Sequence, residues 1–317
     1  MKAVKINKLG GPEVLHYEDA SRPVPHRGEV LIEVHGSSIN PIDTKSIRAD
    51  SDYKDYLNLP LTPGTDVAGV VVEVGEDVTS FKPGDKVYGQ AGALQHGTGA
   101  FAEYTVAAEN TIAKMPENIN FIEAGAMPLA AASAYVAIID HMKLRAGQKV
   151  LIHGGSGGIG SFAIQLAKHL GAYVVTTTSV DGVNYARYQG ADEVIDYEFQ
   201  SFEKTIKDFD AVLDTVGGDV YRKSFEVLKK GGILVSMLCE ADEDLMKRYN
   251  VRAVLEMTKV DKNLLNKISQ LVEEGVLKVN ISKTYSLKDT KEAYEAKDNE
   301  HVLGKIAIAV NTNGQKR

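Results

Sequence analysis

The stretch Val150-Leu151-Ile152-His153-Gly154-Gly155-Ser156-Gly157-Gly158-Ile159-Gly160 decides how this chain folds. An apolar run feeds a glycine cluster, and Ser161 to Leu170 then reads as a helix with Ala163, Leu166, Ala167 and Leu170 on one stripe. Gly155, Gly157 and Gly160 fit the pattern G-x-G-x-x-G, with Ser156, Gly158 and Ile159 completing the loop. The first glycine makes a tight turn, the second lets backbone approach a pyrophosphate, and the third packs helix on strand. The helix N-terminus offers free N–H groups and the positive end of its dipole to an anion. A tight structural turn is the plain alternative. The strand before the loop and the helix after it favour a dinucleotide site.

The next strand, Tyr173 to Thr178, refines this reading. In NAD-binding proteins of this pattern an acid for the ribose 2′-hydroxyl stands about twenty residues beyond the loop, at the end of that strand. Here the end reads Thr176-Thr177-Thr178-Ser179, without a carboxylate. A small hydroxyl at Ser179 leaves room for a 2′-phosphate and removes the charge that would repel it, so NADP(H) is expected over NAD. Arg187 and Tyr197, on the following helix and strand, are candidate phosphate partners; a solvated helix face is the alternative for Arg187. Asp181 lies close enough to work against the phosphate.

A chain of 317 residues implies about two domains with ample core. The net charge of −7 and the lack of a long basic run argue against nucleic acid as the main partner. The one cysteine, Cys239, excludes an internal disulfide and any multi-cysteine zinc site. The opening Met1-Lys2-Ala3-Val4-Lys5 reads as a strand rather than a signal peptide, and no apolar run reaches membrane-spanning length. A cytoplasmic protein with no membrane partner is expected.

Texture changes along the chain. Short β-like runs (Val30 to Val34, Val67 to Val74, Lys86 to Tyr88, Ala102 to Val106) separated by Gly, Pro and Asp turns predict a partly closed β-domain. From Gly147 to Val260, apolar strands at Val150 to His153, Tyr173 to Thr178, Glu193 to Asp196, Ala211 to Val216 and Gly232 to Leu238 alternate with helical stretches. This is the pattern of a doubly wound parallel sheet covered on both faces, an α/β fold. A helix at Lys262 to Glu274 and strands at Thr284 to Leu287 and Lys305 to Val310 follow outside the alternation; Asn311 to Arg317 reads as a disordered tail.

Several motifs in one order carry a resemblance over nearly the whole chain. They are Asn40-Pro41-Ile42-Asp43, Pro63-Gly64-Thr65-Asp66-Val67-Ala68-Gly69-Val70, Phe81-Lys82-Pro83-Gly84-Asp85-Lys86-Val87-Tyr88-Gly89 and Gly99-Ala100-Phe101-Ala102-Glu103-Tyr104. Beyond them come Pro128-Leu129 with Ala134-Tyr135, the glycine loop, Asp214-Thr215-Val216-Gly217-Gly218, and His301 with Gly304-Lys305-Ile306. Together they resemble the medium-chain dehydrogenase/reductase superfamily, in its zinc-free quinone oxidoreductase and enone reductase branch, to which zeta-crystallin belongs. The resemblance implies a GroES-like catalytic domain at 1–121, a Rossmann NADP-binding domain at 122–260, and a return to the catalytic domain with a tail at 261–317. It also implies an active site in a cleft between the domains and a homodimer.

Zinc-dependent members place a Cys in the segment held here by Asn40 to Asp43, a His where this chain has Thr65, and a further Cys past the first hundred residues. None of these ligand types stands at the matching positions, and carboxamide and hydroxyl groups are poor substitutes for the N/S ligands of zinc. No metal is expected. His16, His26, His35, His96, His141, His153, His169 and His301 show no ligand spacing and read as surface or core residues.

Without a Lewis acid to polarise an alcohol, conjugate reduction is the easier chemistry. The expectation is NADPH-dependent hydride transfer to enones, enals or quinones, the protein supplying orientation and a hydrogen-bond donor for the developing oxyanion. The alternative is an NADP(H)-binding protein with little turnover, in a redox-sensing or structural role. By resemblance, Asn40 contacts cofactor or substrate, a turn residue before Pro41 being the alternative. Arg48 and Tyr53 lie near the substrate positions, shifted by one residue, with Tyr56 a rival to Tyr53. Ser133 stands where the family carries a Thr facing the nicotinamide, with helix capping as its alternative. Val216 and Leu238 fall at the cofactor edge, and Lys305 faces the cofactor phosphates unless it is solvated at a strand edge. Asp66 reads as structural, and Cys239 as a buried thiol. Many NADPH-using relatives carry a Lys for the 2′-phosphate where this chain has Gly182. The Gln90 to Thr98 loop has no assigned role beyond a possible place at the cleft.

Overall fold

Val150, Leu151 and Ile152 are fully buried, as a strand covered on both faces requires. They belong to a strand that sits in the middle of a sheet. The computed structural model describes residues 1–92 and 98–311. His96, most of the Gln90 to Thr98 loop and the tail beyond Asn311 therefore lie outside the described residues. The strands are β1 (Lys2–Lys5), β2 (His16–Asp19), β3 (Glu29–Ser38), β4 (Asp66–Val74), β5 (Lys86–Gln90), β6 (Tyr104–Ala108), β7 (Ile112–Lys114), β8 (Lys149–His153), β9 (Tyr173–Thr178), β10 (Glu193–Asp196), β11 (Phe209–Asp214), β12 (Leu228–Ser236), β13 (Arg252–Leu255), β14 (Ile281–Ser286) and β15 (Lys305–Ala309). Two compact units result. One comprises Met1–Leu129, Val260–Gly275 and Val279–Arg317, the other Ala130–Lys259 and Val276–Lys278.

The second unit is a six-stranded sheet in the order β10-β9-β8-β11-β12-β13, with every neighbouring pair parallel. In chain order this is 3-2-1-4-5-6, the doubly wound Rossmann arrangement, whose switch point lies between β8 and β11. The core on one face joins Leu151, Val175 and Val212 of the sheet to Phe202, Tyr221 and Phe225 of the helical layer. Residues 276–278 join this unit because the Gln165 side chain grips Lys278 by both backbone groups, at 2.8 and 3.2 Å.

In the first unit β3 is the common partner. Its first half pairs with β6, its end with β15, and its other side with β4. The sheet continues through β5 to β7, and through β15 to β14. One strand sharing two partners on the same side curls the sheet into the partly closed β-domain expected from the spacing. The strand is longer than the Val30 to Val34 run because His35 to Ser38 continue it past a glycine. Gly36 has no Cβ, and one placed there would stand 2.2 Å from the carbonyl oxygen of Phe121. The short helix Phe121–Gly125 presses on that strand, and a Cβ on Gly125 would come within 2.5 Å of the Gly36 carbonyl carbon. Residues 122–129, placed with the dinucleotide-binding part by the sequence reading, accordingly pack in the first unit. No helix among the described residues is long and apolar enough to cross a membrane.

The glycine-on-glycine crossing makes a testable demand. Gly125→Val overpacks backbone against backbone and should lower stability by about 1–3 kcal/mol. A urea midpoint equal to that of the unsubstituted protein would show that the helix does not lie on β3.

Candidate active site

The glycine loop leaves β8 at His153 and turns at Gly154, whose φ of +70° suits glycine. Gly157 then caps the helix Gly158–His169 in extended conformation, and Ser161 N–H makes the first intrahelical bond to Gly157 at 3.0 Å. The three pattern glycines are required for different reasons. A Cβ on Gly155 would stand 2.0 Å from Thr176 Oγ1, and one on Gly160 only 2.2 Å from the Gly154 carbonyl oxygen. At Gly157 the nearest atom would be 3.4 Å away, an ordinary contact. Packing of the protein's own atoms thus demands the first and third glycines. The middle one leaves open space on the face where the helical N–H groups of Gly158 and Ile159 begin, the cradle a pyrophosphate needs.

Beside the loop, Thr178 Oγ1 donates to Ser156 Oγ at 2.7 Å, joining the end of β9 to the loop. Gly182 fits beneath this bond: a Cβ there would lie 2.0 Å from Thr178 Oγ1 and 2.7 Å from Ser156 Cβ. Position 182, where the resemblance implies a lysine in many NADPH-using members, has no room for a side chain beside this bond. Ser179 precedes a single 3-10 turn, Val180–Gly182, with its backbone extended. Arg187 is exposed in the last turn of the helix Val183–Tyr188, and Tyr197 is exposed just past β10, its N–H bonded to the Thr178 carbonyl at 3.1 Å.

On the other side of the switch point, a buried carboxylate organises the strand ends. Asp214 Oδ1 accepts from Val216 N–H at 2.9 Å and Gly217 N–H at 2.8 Å, and Oδ2 accepts from Ser236 Oγ at 2.7 Å. Ser236 Oγ in turn accepts from Leu238 N–H and Cys239 N–H at 3.1 and 3.0 Å. These bonds end β11 and β12 earlier than the apolar runs suggested and hold Val216 and Leu238 outward, 50% and 46% exposed. Cys239 is half-buried, with a Cβ on Gly217 falling 3.4 Å from its sulfur. Met257, past β13, is 64% exposed, as are Val180 past β9 and Tyr197 and Phe199 past β10 to similar or greater degree. Among the described residues of this unit, the only other exposed large apolar side chains are Tyr173 and Tyr188. Exposed apolar groups therefore gather at the carboxyl ends of the strands, where open α/β sheets bind ligands.

Beneath the loop, His153 is a core residue. Ser224 Oγ donates to the Val220 carbonyl at 2.6 Å, so it accepts from His153 Nε2 at 3.0 Å, and Nδ1 accepts from Thr177 at 2.9 Å. Burial pushes this imidazole down to about 4, against the attraction of Asp214. Ser133 is buried six residues into the helix Pro128–Tyr135, too far along it to act as a cap.

The first unit brings Asn40, Asp43, Thr65, Asp66 and Lys305 together. Asn40 is 2% exposed and starts the helix Pro41–Ser46. Asp43 Oδ2 accepts from Asn40 N–H at 2.8 Å, while Oδ1 accepts from Thr65 N–H at 3.0 Å and Thr65 Oγ1 at 2.6 Å. The Asn40 side chain faces away from this cap. Its Nδ2 donates to Asp66 at 2.8 Å and its Oδ1 accepts from Lys305 Nζ at 2.5 Å. Reversing the amide would set NH₂ against an ammonium and oxygen against a carboxylate, so its orientation is fixed by charge. Asp66 also accepts from Ser38 Oγ at 3.1 Å and Leu129 N–H at 3.0 Å, the structural role read from the sequence. Burial raises both carboxyls, Asp43 to about 6, and lowers Lys305, whose charge opposes the shift at Asp66.

Lys305 departs from both sequence readings. It is 5% exposed, so strand-edge solvation does not apply, and its ammonium is directed at Asn40, the Ile39 carbonyl and Asp66 rather than outward to phosphates. Arg48 is also engaged, donating to Asp298 at 3.0 Å. Tyr53 precedes the 3-10 turn Lys54–Tyr56, and its N–H bonds Ser51 Oγ at 3.1 Å; the side chain of its rival Tyr56 lies outside the described atoms. Among the described contacts, neither Arg48 nor Tyr53 is hydrogen-bonded to the Asn40 cluster. Asp214, Ser236 and Thr178, which tie these strand ends together, received no role from the sequence, since a buried Asp or hydroxyl at a strand end carries no spacing signal.

Comparison with known proteins agrees with this geometry. The alcohol dehydrogenase GroES-like domain family matches residues 26–117, and the zinc-binding dehydrogenase family matches residues 189–308. The human quinone oxidoreductase is 31% identical, covering 93% of this chain and 93% of its own. The tomato (Solanum lycopersicum) 2-methylene-furan-3-one reductase is 35% identical, over 97% of this chain and 79% of its own. Among solved structures, the quinone oxidoreductase from Coxiella burnetii superposes with a TM-score of 0.92 at 35% identity, covering 98% and 99% of the two chains. The Escherichia coli quinone oxidoreductase complexed with NADPH superposes at 0.86 with 25% identity, covering 98% and 100%. With two units of these folds and relatives of these names along its whole length, the chain belongs to the medium-chain dehydrogenase/reductase superfamily, in the branch of quinone oxidoreductases and enone reductases.

Proposed function

We propose that this protein is an NADPH-dependent reductase that passes hydride to quinones or α,β-unsaturated carbonyls without a metal ion. The observation that carries this reading is the open face at Gly157, with an exposed apolar rim at Val216 and Leu238 on the same carboxyl edge. Relatives named quinone oxidoreductase and 2-methylene-furan-3-one reductase, and a structural relative solved with NADPH, support it.

When bound, the coenzyme supplies the hydride. The chain's part is to hold and orient. The loop Gly155-Ser156-Gly157-Gly158-Ile159-Gly160 takes the pyrophosphate on backbone N–H groups. Ser179, with Arg187 and Tyr197, takes the ribose 2′-phosphate; with position 182 closed, no lysine can do so from there. Val216 and Leu238 flank the nicotinamide ribose, and the Ser133 hydroxyl serves the nicotinamide. Asn40, Arg48 and Tyr53 serve the acceptor, Asn40 through an amide that Asp66 and Lys305 keep in one orientation.

The metal-free part of the proposal rests on the donor set. Where zinc-dependent members hold their ligands, this chain has the Asn40 carboxamide, bonded to Asp66 and Lys305, and the Thr65 hydroxyl, bonded to the Asp43 carboxylate. The positive charge among them is the Lys305 ammonium, 2.5 Å from Asn40 Oδ1 and 3.9 Å from Asp66. Such a set does not suit zinc, which prefers N/S ligands. A homodimer through the open edge of β13 is part of the same reading, since an unpaired strand edge is a template for a second copy.

Two substitutions test the coenzyme site. Gly157→Val fills the cradle and should weaken NADPH binding by about 100-fold or more, roughly 2.7 kcal/mol, with the urea midpoint unchanged. Unaltered affinity in a fluorescence titration would remove the loop from the site. Ser179→Asp sets a carboxylate against the 2′-phosphate and should move the NADPH:NADH ratio of kcat/KM toward NADH by about tenfold. A ratio that stays put would assign coenzyme choice to another group. Turnover of NADPH with 1,4-benzoquinone, 9,10-phenanthrenequinone or an enone tests the reaction class; tight binding with none of them turned over would leave an NADP(H)-binding protein.

A further inference from the structure

The second unit contains a histidine–carboxylate pair that the coenzyme site does not use. His141 Nε2 lies 2.6 Å from Glu256 Oε2. His141 ends the π-helical turn Val136–His141, a rare conformation that is frequent at functional sites. Glu256 follows β13, and its N–H bonds the Ser236 carbonyl at 2.8 Å, so the pair sits at the carboxyl edge of the sheet beside the end of β12. The Glu256 side chain is mostly buried at 11%, while that of His141 is 30% exposed. On either side along this edge stand the exposed Leu238 and Met257.

Topology says which part of a dinucleotide this edge serves. With the loop after β8 taking the pyrophosphate, one half of the molecule lies over β8 and β9, and the other over β11 and β12. The 2′-phosphate groups Ser179 and Tyr197 follow β9 and β10, which leaves the β11–β13 side for the nicotinamide and the acceptor. From β11 to β13 is two strand spacings, about 10 Å, within the span of a nicotinamide with an acceptor stacked beside it.

We propose that His141, oriented by Glu256, is the general acid that protonates the reduced acceptor. This inference rests on the reductase reading above. Glu256 engages Nε2, which fixes the ring and leaves Nδ1 to face the acceptor, as a carboxylate does for a catalytic imidazole. In enone reduction the β-carbon receives hydride from the reduced nicotinamide, which is thereby oxidised. The C=C pair moves to form an enolate. A proton then leaves Nδ1 of the imidazolium for the α-carbon, the C–H bond forms as the N–H bond breaks, and the neutral imidazole regains its proton from water. A quinone differs in one step: its reduction leaves an oxygen anion, which exchanges protons with water without help.

That difference is the test. His141→Gln is assayed with NADPH and two acceptors, benzylideneacetone and 9,10-phenanthrenequinone. The expected result is a fall of about 100-fold in kcat for the enone, the usual range for loss of a general acid. The quinone kcat should stay within about threefold, with KM for NADPH unchanged. A second readout does not depend on turnover. The His141 imidazole resonance, assigned by its absence in His141→Gln, should shift when the saturated product 4-phenylbutan-2-one is added with NADP⁺ to the unsubstituted protein. Equal losses with both acceptors, or no loss with either, would overturn the assignment, as would an unmoved resonance. If the unsubstituted protein turned over neither acceptor, the reductase reading itself would fail and this assignment with it.

Discussion

The contact of Gly160 with the backbone of Gly154 and Gly155 is the constraint on which the nucleotide-binding unit depends. A side chain at 160 would collide with the Gly154 carbonyl oxygen at 2.2 Å and the Gly155 Cα at 2.8 Å. Helix and strand can therefore meet at this turn only backbone to backbone. That approach aims the N-terminus of the helix Gly158–His169 along the carboxyl edge of the sheet and sets the dipole end where an anion can reach it. The same edge receives Thr178 through Ser156 and the strand ends tied by Asp214.

The first unit solves a different problem with charge. Its central cluster holds two carboxylates and one ammonium away from water, an arrangement whose desolvation is tolerated only when hydrogen bonds satisfy the remaining lone pairs. Nearly every oxygen here is so satisfied. Asp43 serves the backbone of Asn40 and of Thr65, and Asp66 serves Ser38, Asn40 and Leu129. Such a network gives modest net stability but strict geometry, here the single orientation of the Asn40 amide between Asp66 and Lys305.

Much of this was legible in the sequence. The glycine loop, the helix after it and the strand Tyr173–Thr178 follow from apolar period and turn chemistry alone. The strand β13 escaped because four residues at a sheet edge, Arg252-Ala253-Val254-Leu255, give too short a run to register. The ends of β11 and β12 were misplaced because Asp214 and Ser236 divert the next N–H groups from the ladder, a side-chain effect invisible to periodicity. The long-range side-chain pairs were the least legible. Lys305 lies 265 residues from Asn40, and Glu256 lies 115 from His141. Only the crossing of the chain brings them together, and a lone His or Lys has no pattern to announce its partner.

The packing of Gly182 beneath Thr178 and Ser156 bears on how such a protein could change over time. A basic residue at 182 cannot arise first, because its stem would strike two hydroxyl-bearing side chains that are themselves bonded together. The bond would have to be dismantled beforehand, most simply by shrinking both Ser156 and Thr178. Each intermediate would loosen the tie between the end of β9 and the glycine loop. Positions 156, 178 and 182 are therefore coupled, and a change at one is expected to require changes at the other two.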